Sequence, residues 1–118
     1  MKANMIHVLK TPDGKKVVIN RETDECLFKA ARNPPDTGTA YTSGVDLYRH
    51  VSRKGNVYYY TFGWSMWQGS VDTYELISEQ QAKLFLLNHM MLTGWNKLDE
   101  DEQKRAEELF PGIFAEDA

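Results

Sequence analysis

The run Val57–Trp67, Val-Tyr-Tyr-Tyr-Thr-Phe-Gly-Trp-Ser-Met-Trp, is the densest aromatic stretch in the chain and narrows what the rest can form around it. Aromatic side chains fit a pleated, half-buried surface, and side chains along a strand alternate between two faces. Extended, the run puts Tyr58, Tyr60, Phe62, Trp64 and Met66 on one face, which has to be buried. Tyr59, Thr61, Ser65 and Trp67 form a second face of mixed polar and aromatic character. The remaining segments read as elements that pair with this strand or pack on it.

The pairing partners flank it. Val45–Val51 has strand character and is joined to the run by Arg53-Lys54-Gly55-Asn56. With Lys54 and Gly55 as a two-residue loop, Val51 pairs with Tyr58, Arg49 with Tyr60, Leu47 with Phe62 and Val45 with Trp64. In that register the apolar faces coincide and Arg49 is the misfit, its stem laid along Tyr60. Gln68-Gly69-Ser70 turns the chain back into Val71–Ile77, with Trp64 opposite Tyr74 and Phe62 opposite Leu76. A three-strand meander results. Upstream, Thr11-Pro12-Asp13-Gly14 separates Met5–Leu9 from Val17-Val18-Ile19 and predicts a hairpin. If Lys10 pairs with Lys15, Ile6 and Val8 face Val17 and Ile19, and His7 falls on the opposite side. Residues 26–31 are ambiguous between strand and helix, with strand preferred. Arg32–Gly44 is a long stretch of breakers and small polar residues, read as a loop; it lacks the glycine spacing and the Gly-Lys-Ser/Thr of a phosphate-binding loop.

Two helices close the chain. Ser78-Glu79-Gln80-Gln81 fits a capping box, and the helix it opens runs to about residue 93, where Gly94 can end it. Apolar residues surround most of its circumference, so it is expected to be covered on more than one side, by core or by a second copy of the chain. A second helix starts at an acidic turn near Asp99 and runs to Phe110, before Pro111-Gly112. Ile113 and Phe114 are placed to tuck back onto the core. The fold class expected is α+β: an antiparallel sheet of about five to six strands, made of the N-terminal hairpin and the central meander, packed against two C-terminal helices. One domain spans 1–118, divided into an N-terminal β region (5–31), a loop (32–44), the meander (45–77) and helices at 78–93 and 99–110.

Composition excludes several classes. At 118 residues the chain supports a single core, and 42% hydrophobic with 26% charged residues is ordinary for a folded domain. No apolar run approaches the roughly 20 residues that span a bilayer, and the N-terminus lacks a secretory apolar core. No membrane partner is expected. The single cysteine, Cys26, closes no internal disulfide, which points to the cytoplasm. With no base nearby in sequence it reads as a buried or inert thiol. Net charge is −3, but residues 1–98 carry 12 Lys and Arg against 9 Asp and Glu, while residues 99–118 carry 2 against 8. The acid is therefore concentrated in the last helix and tail, as a solvated face or as a patch for a basic partner.

The chemistry-bearing motifs are weak. His7, His50 and His89 have no metal-ligand spacing, and there is no nucleophile elbow or Walker sequence, so no metal or cofactor is called for. The informative surface is the odd face of the meander. In the register above it presents Tyr48 and His50 beside Tyr59, with Trp67 on the flank and Arg53 and Lys54 at the hairpin tip. Those six residues are the candidate binding site of a non-enzymatic binding or protein-interaction domain, with a protein partner or a second copy as ligand. Nucleic acid is an alternative, because bases stack on aromatics and basic tips hold phosphate. A second alternative is a small enzyme working between the 32–44 loop and His50. If the N-terminal hairpin or a partner covers the odd face, the same aromatics become a second core.

Overall fold

A computed structural model describes residues 6–30, 43–65, 72–91 and 97–115. Strands β1 (Ile6–Lys10) and β2 (Lys16–Asn20) form a two-stranded ribbon. Strands β3 (Glu25–Phe28), β4 (Ser43–Val51), β5 (Val57–Ser65) and β6 (Thr73–Ile77) form an antiparallel sheet in that order. Helices α1 (Glu79–Met90) and α2 (Glu100–Leu109) follow. The α+β class, the two helices and the strand at 25–28 agree with the sequence reading. Residues 31–42, most of the expected 32–44 loop, lie outside the described residues, as do Trp67 and the Gln68-Gly69-Ser70 turn. Ser43 and Gly44, read as the end of that loop, instead open β4.

Both hairpin registers differ from expectation by one residue, for the same physical reason. Gly55 takes φ +87 and its N–H donates to Ser52 O at 2.9 Å, while Ser52 N–H donates to Asn56 O at 2.8 Å. That is a type I turn followed by a left-handed glycine, a three-residue loop with a bulge, in place of a two-residue loop. Val51 therefore pairs with Val57, Arg49 with Tyr59, Tyr48 with Tyr60 and Asp46 with Phe62. Gly14 repeats the device at φ +86, with Gly14 N–H on Thr11 O and Thr11 N–H on Lys15 O, both at 2.9 Å. There Lys10 pairs with Lys16 and Val8 with Val18. A one-residue slip exchanges faces. His7 joins the buried side of the ribbon, with Leu9, Val17 and Ile19, while Ile6, Val8 and Val18 are exposed. Val45 and Val51, expected in the core, are exposed too. The β5–β6 register is shifted by two, Phe62 opposite Tyr74 and Tyr60 opposite Leu76, which leaves the face assignment of β6 intact.

Both faces of the four-stranded sheet are covered. The even face carries Asp46, Tyr48, His50, Tyr58, Tyr60, Phe62, Trp64 and Tyr74, and the β1–β2 ribbon lies against it. Arg21, just past β2, stands 3.7 Å above the Phe62 ring, and its Nε donates to the Tyr74 hydroxyl at 2.8 Å. His7 and Tyr74 rings are 3.9 Å apart. A guanidinium over a desolvated ring contributes on the order of 1–2 kcal/mol, so Arg21 pins the ribbon to the sheet by packing and hydrogen bonding together.

The odd face meets the helices. Tyr59 packs on Phe110, ring centroids 5.7 Å apart, and Phe28 packs on Phe85 at the same separation. Arg49, read from sequence as a misfit beside Tyr60, belongs to this face. Its Nη1 lies 3.8 Å from Glu25, which also accepts from Arg105 Nη2 at 3.0 Å, so one carboxylate ties β3, β4 and α2. Each helix begins with a full capping box, Ser78 with Gln81 and Asp99 with Glu102. The Glu102 carboxylate also accepts from Lys29 N–H at 3.1 Å, anchoring α2 to the end of β3. His89 Nδ1 is 2.9 Å from Phe85 O, the hydrogen-bonded role its place on an apolar helix implies. Ala82 and Leu86 of α1 are buried, whereas Leu84 and Met91 are exposed in the single chain. Ile113 and Phe114 pack back on the core as expected.

Candidate functional site

The slip in the β4–β5 register divides the six candidate site residues. Tyr48 and Tyr59 point to opposite faces and are 7% and 6% exposed, the first under the ribbon and the second under the helices. They are core, which is why burial raises the Tyr48 phenol to about 12 and the Tyr59 phenol above its usual range. Their juxtaposition on one exposed face, expected from the two-residue loop, does not occur. Trp67 lies outside the described residues. His50, Arg53 and Lys54 come together, and the structure adds residues to them.

A cleft of about 870 Å³ opens between the tips of the two hairpins. Lys15, Lys16, Val17 and Val18 line it from the ribbon; His50, Val51, Ser52, Arg53, Lys54, Asn56 and Tyr58 line it from the sheet. The size is within the range of roughly 300–1,000 Å³ usual for ligand pockets. The turns themselves put charge at this place. Arg53 and Lys54 occupy the two central positions of the type I turn, where any side chain projects to solvent, and Lys15 and Lys16 follow the bulge at Gly14. Lys15 approaches Asp13 at 3.7 Å with both side chains well exposed, a pair that solvent weakens to almost nothing. Among the described residues no ion pair holds Lys16, Arg53 or Lys54. Four cationic side chains thus rim a cleft whose other lining is three valines, Tyr58 and the polar side chains of His50, Ser52 and Asn56.

His50 is held from behind. Its Nδ1 lies 2.7 Å from Asp24 Oδ1, and Asp24 Oδ2 accepts from Tyr60 Oη at 2.8 Å and from Asn20 N–H at 2.9 Å. A carboxylate only accepts, so Nδ1 donates and Nε2 is the ring's remaining polar atom, without a hydrogen bond among the described residues. The Tyr60 phenol is pushed well above its usual range, first by burial and then by its bond to Asp24. Asp24, Lys15, Lys16 and Tyr58 were absent from the sequence-derived site. The Lys15-Lys16 pair beside a turn was visible, but its approach to Arg53-Lys54 across the ribbon–sheet contact is long-range and has no local signature.

Other chemistry is thinner. Among the described residues no group of three His, Cys, Asp or Glu side chains is placed to hold a metal ion. Cys26 is exposed as a residue, contrary to a buried reading, yet its Sγ donates to Phe28 O at 3.4 Å and burial with the nearby Asp46 charge raises the thiol to about 11. No described helix is long and apolar enough to cross a membrane. Comparison of the chain with protein-family models, with curated proteins and with solved structures finds no match.

Proposed function

We propose that this chain is a non-enzymatic binding domain that captures an anionic partner in the cleft between its two hairpin tips. The observation that carries the reading is the convergence of Lys15, Lys16, Arg53 and Lys54 around one cleft, three of the four without an ion pair among the described residues. Like charges brought together without counterions raise the local potential, and a stable fold keeps such a cluster most readily where something negative neutralises it. The reading retains His50, Arg53 and Lys54 of the original site and replaces the buried Tyr48 and Tyr59 with Tyr58. A cytoplasmic setting accompanies it, on the strength of the single thiol.

The test is a titration of labelled poly-glutamate and of oligothymidylate against the protein and against a Lys16→Glu, Arg53→Glu, Lys54→Glu variant. Binding that weakens steeply with salt and is lost in the folded variant is the expected result. Equal binding by both proteins would remove the cleft from consideration. A second reading, acid or base chemistry by His50, is favoured by one observation, the Asp24 carboxylate behind Nδ1 with Nε2 left over. It requires turnover of an anionic substrate with a pH profile that disappears in His50→Ala.

A further inference from the structure

We infer that the partner is an extended acidic peptide segment that adds to the free edge of β2 as a third strand. This rests on the cleft reading above and adds the chemistry that selects among anions. The Thr11 N–H to Lys15 O bond makes Thr11 and Lys15 a hydrogen-bonded pair. In an antiparallel ladder bonded and non-bonded pairs alternate, so Leu9–Val17 and His7–Ile19 are bonded, and Lys16, Val18 and Asn20 direct their backbone groups away from β1. Asn20 verifies the direction. Its N–H goes to Asp24 Oδ2 at 2.9 Å, and its C=O accepts from Thr23 and Asp24 N–H at 3.1 and 2.8 Å. The chain's own turn therefore closes the far end of this edge. The backbone groups of Lys16 and Val18 have no backbone partner among the described residues, and both residues line the cleft.

An open edge of alternating N–H and C=O groups is the template for strand addition. Lysine on an edge ordinarily deters pairing, but an acidic strand turns Lys16 from a deterrent into a contact. Alternate side chains of the added strand would reach Lys16 and, from the other side, the Ser52–Asn56 tip with Arg53 and Lys54. Nucleic acid satisfies the cations equally well and leaves the Lys16 and Val18 carbonyls facing phosphate, so the edge favours a peptide.

The experiment uses fluorescence anisotropy with a short labelled peptide of alternating glutamate and valine. Two further copies are N-methylated at every glutamate or at every valine, and oligothymidylate of similar charge serves as the comparison. Edge pairing predicts that the plain peptide binds, that one methylated copy loses about tenfold or more while the other loses little, and that oligothymidylate binds more weakly. Val18→Pro should weaken the plain peptide similarly, since it deletes an outward N–H and leaves the β1–β2 ladder whole. If that variant does not fold, the methylated peptides decide alone. Equal binding of all three peptides, or tighter binding of oligothymidylate, overturns strand addition while the cleft reading stands. Absence of binding by every probe, or binding unaffected by the Lys16→Glu, Arg53→Glu, Lys54→Glu variant, overturns both.

Discussion

The Tyr60 hydroxyl donates to Asp24 Oδ2 at 2.8 Å from the centre of the sheet, so a fully buried aromatic side chain reaches out to fix the turn that follows the ribbon. The same carboxylate holds His50 and the Asn20 amide, which makes Asp24 the polar joint between ribbon and sheet. Removing it strands three donors in a place with little water. Asp24→Ala is expected to cost about 3 kcal/mol or more in urea unfolding, and Asp24→Asn less because one acceptor survives. A loss under about 1 kcal/mol for the alanine variant would mean that water reaches these groups freely.

Alkaline stability follows from the same strand. Burial raises Tyr48 to about 12 and Tyr60 further, while an unfolded phenol titrates near about 10. With folded values above unfolded ones, the stabilisation is complete below pH of about 10 and declines as pH rises through the folded values, because the unfolded chain gives up its protons first. Tyrosinate absorbance of the native protein should therefore show Tyr48 and Tyr60 silent at pH of about 10.5 and released together on unfolding. Free titration of every phenol in the folded protein at that pH would contradict their burial.

The left-handed glycines of the two hairpin turns make a local prediction. An added Cβ at Gly14 or Gly55 meets nothing within 4 Å, so the cost of alanine is purely backbone, about 1–2 kcal/mol at φ +86 and +87. Asparagine tolerates that conformation better and should cost less at either site. Thermal unfolding of the four variants checks the order.

Those glycines also explain where sequence reading stopped. Alternation identified β5, and the capping serine identified α1, because both are signals within a few residues. Whether Gly55 ends a two-residue loop or forms the bulge of a three-residue one is a matter of one backbone dihedral, and Arg-Lys-Gly-Asn is compatible with either. That choice exchanged faces for Val45, Tyr48 and Val51 relative to β5, and the same choice at Gly14 did so for His7. The candidate site suffered most. Of its residues, Arg53, Lys54 and His50 were legible as a basic tip with a histidine nearby. Asp24, Lys15 and Lys16 join them only through ribbon-on-sheet packing, which no spacing in the chain encodes.

Cys26 carries a reactivity prediction. A thiol raised to about 11 has far less thiolate at neutral pH than one near about 8.5, so alkylation at pH of about 7.5 should be slowed by roughly a hundredfold or more relative to a free thiol. The rate in the folded protein should climb through pH 11, where burial no longer holds the proton. Modification at an ordinary rate near neutrality would show that the sulfur is not shielded from water as its burial implies.

At the other end of β4, Gly44 pairs with Trp64 across the even face, and a Cβ there would stand 2.7 Å from Ala30 Cβ and 2.9 Å from the Trp64 ring. The indole has little freedom to yield. Its Nε1 donates at 3.1 Å to Asp46, which is fully buried and also accepts from Ala30 N–H at 2.8 Å. Moving the ring to admit a methyl group disturbs a buried carboxylate on two sides, so Gly44→Ala combines overpacking with a weakened polar contact. The expected loss is about 2–3 kcal/mol, larger than for alanine at Gly55 despite the ordinary backbone at Gly44. Denaturant midpoints of Gly44→Ala and Gly55→Ala give the comparison.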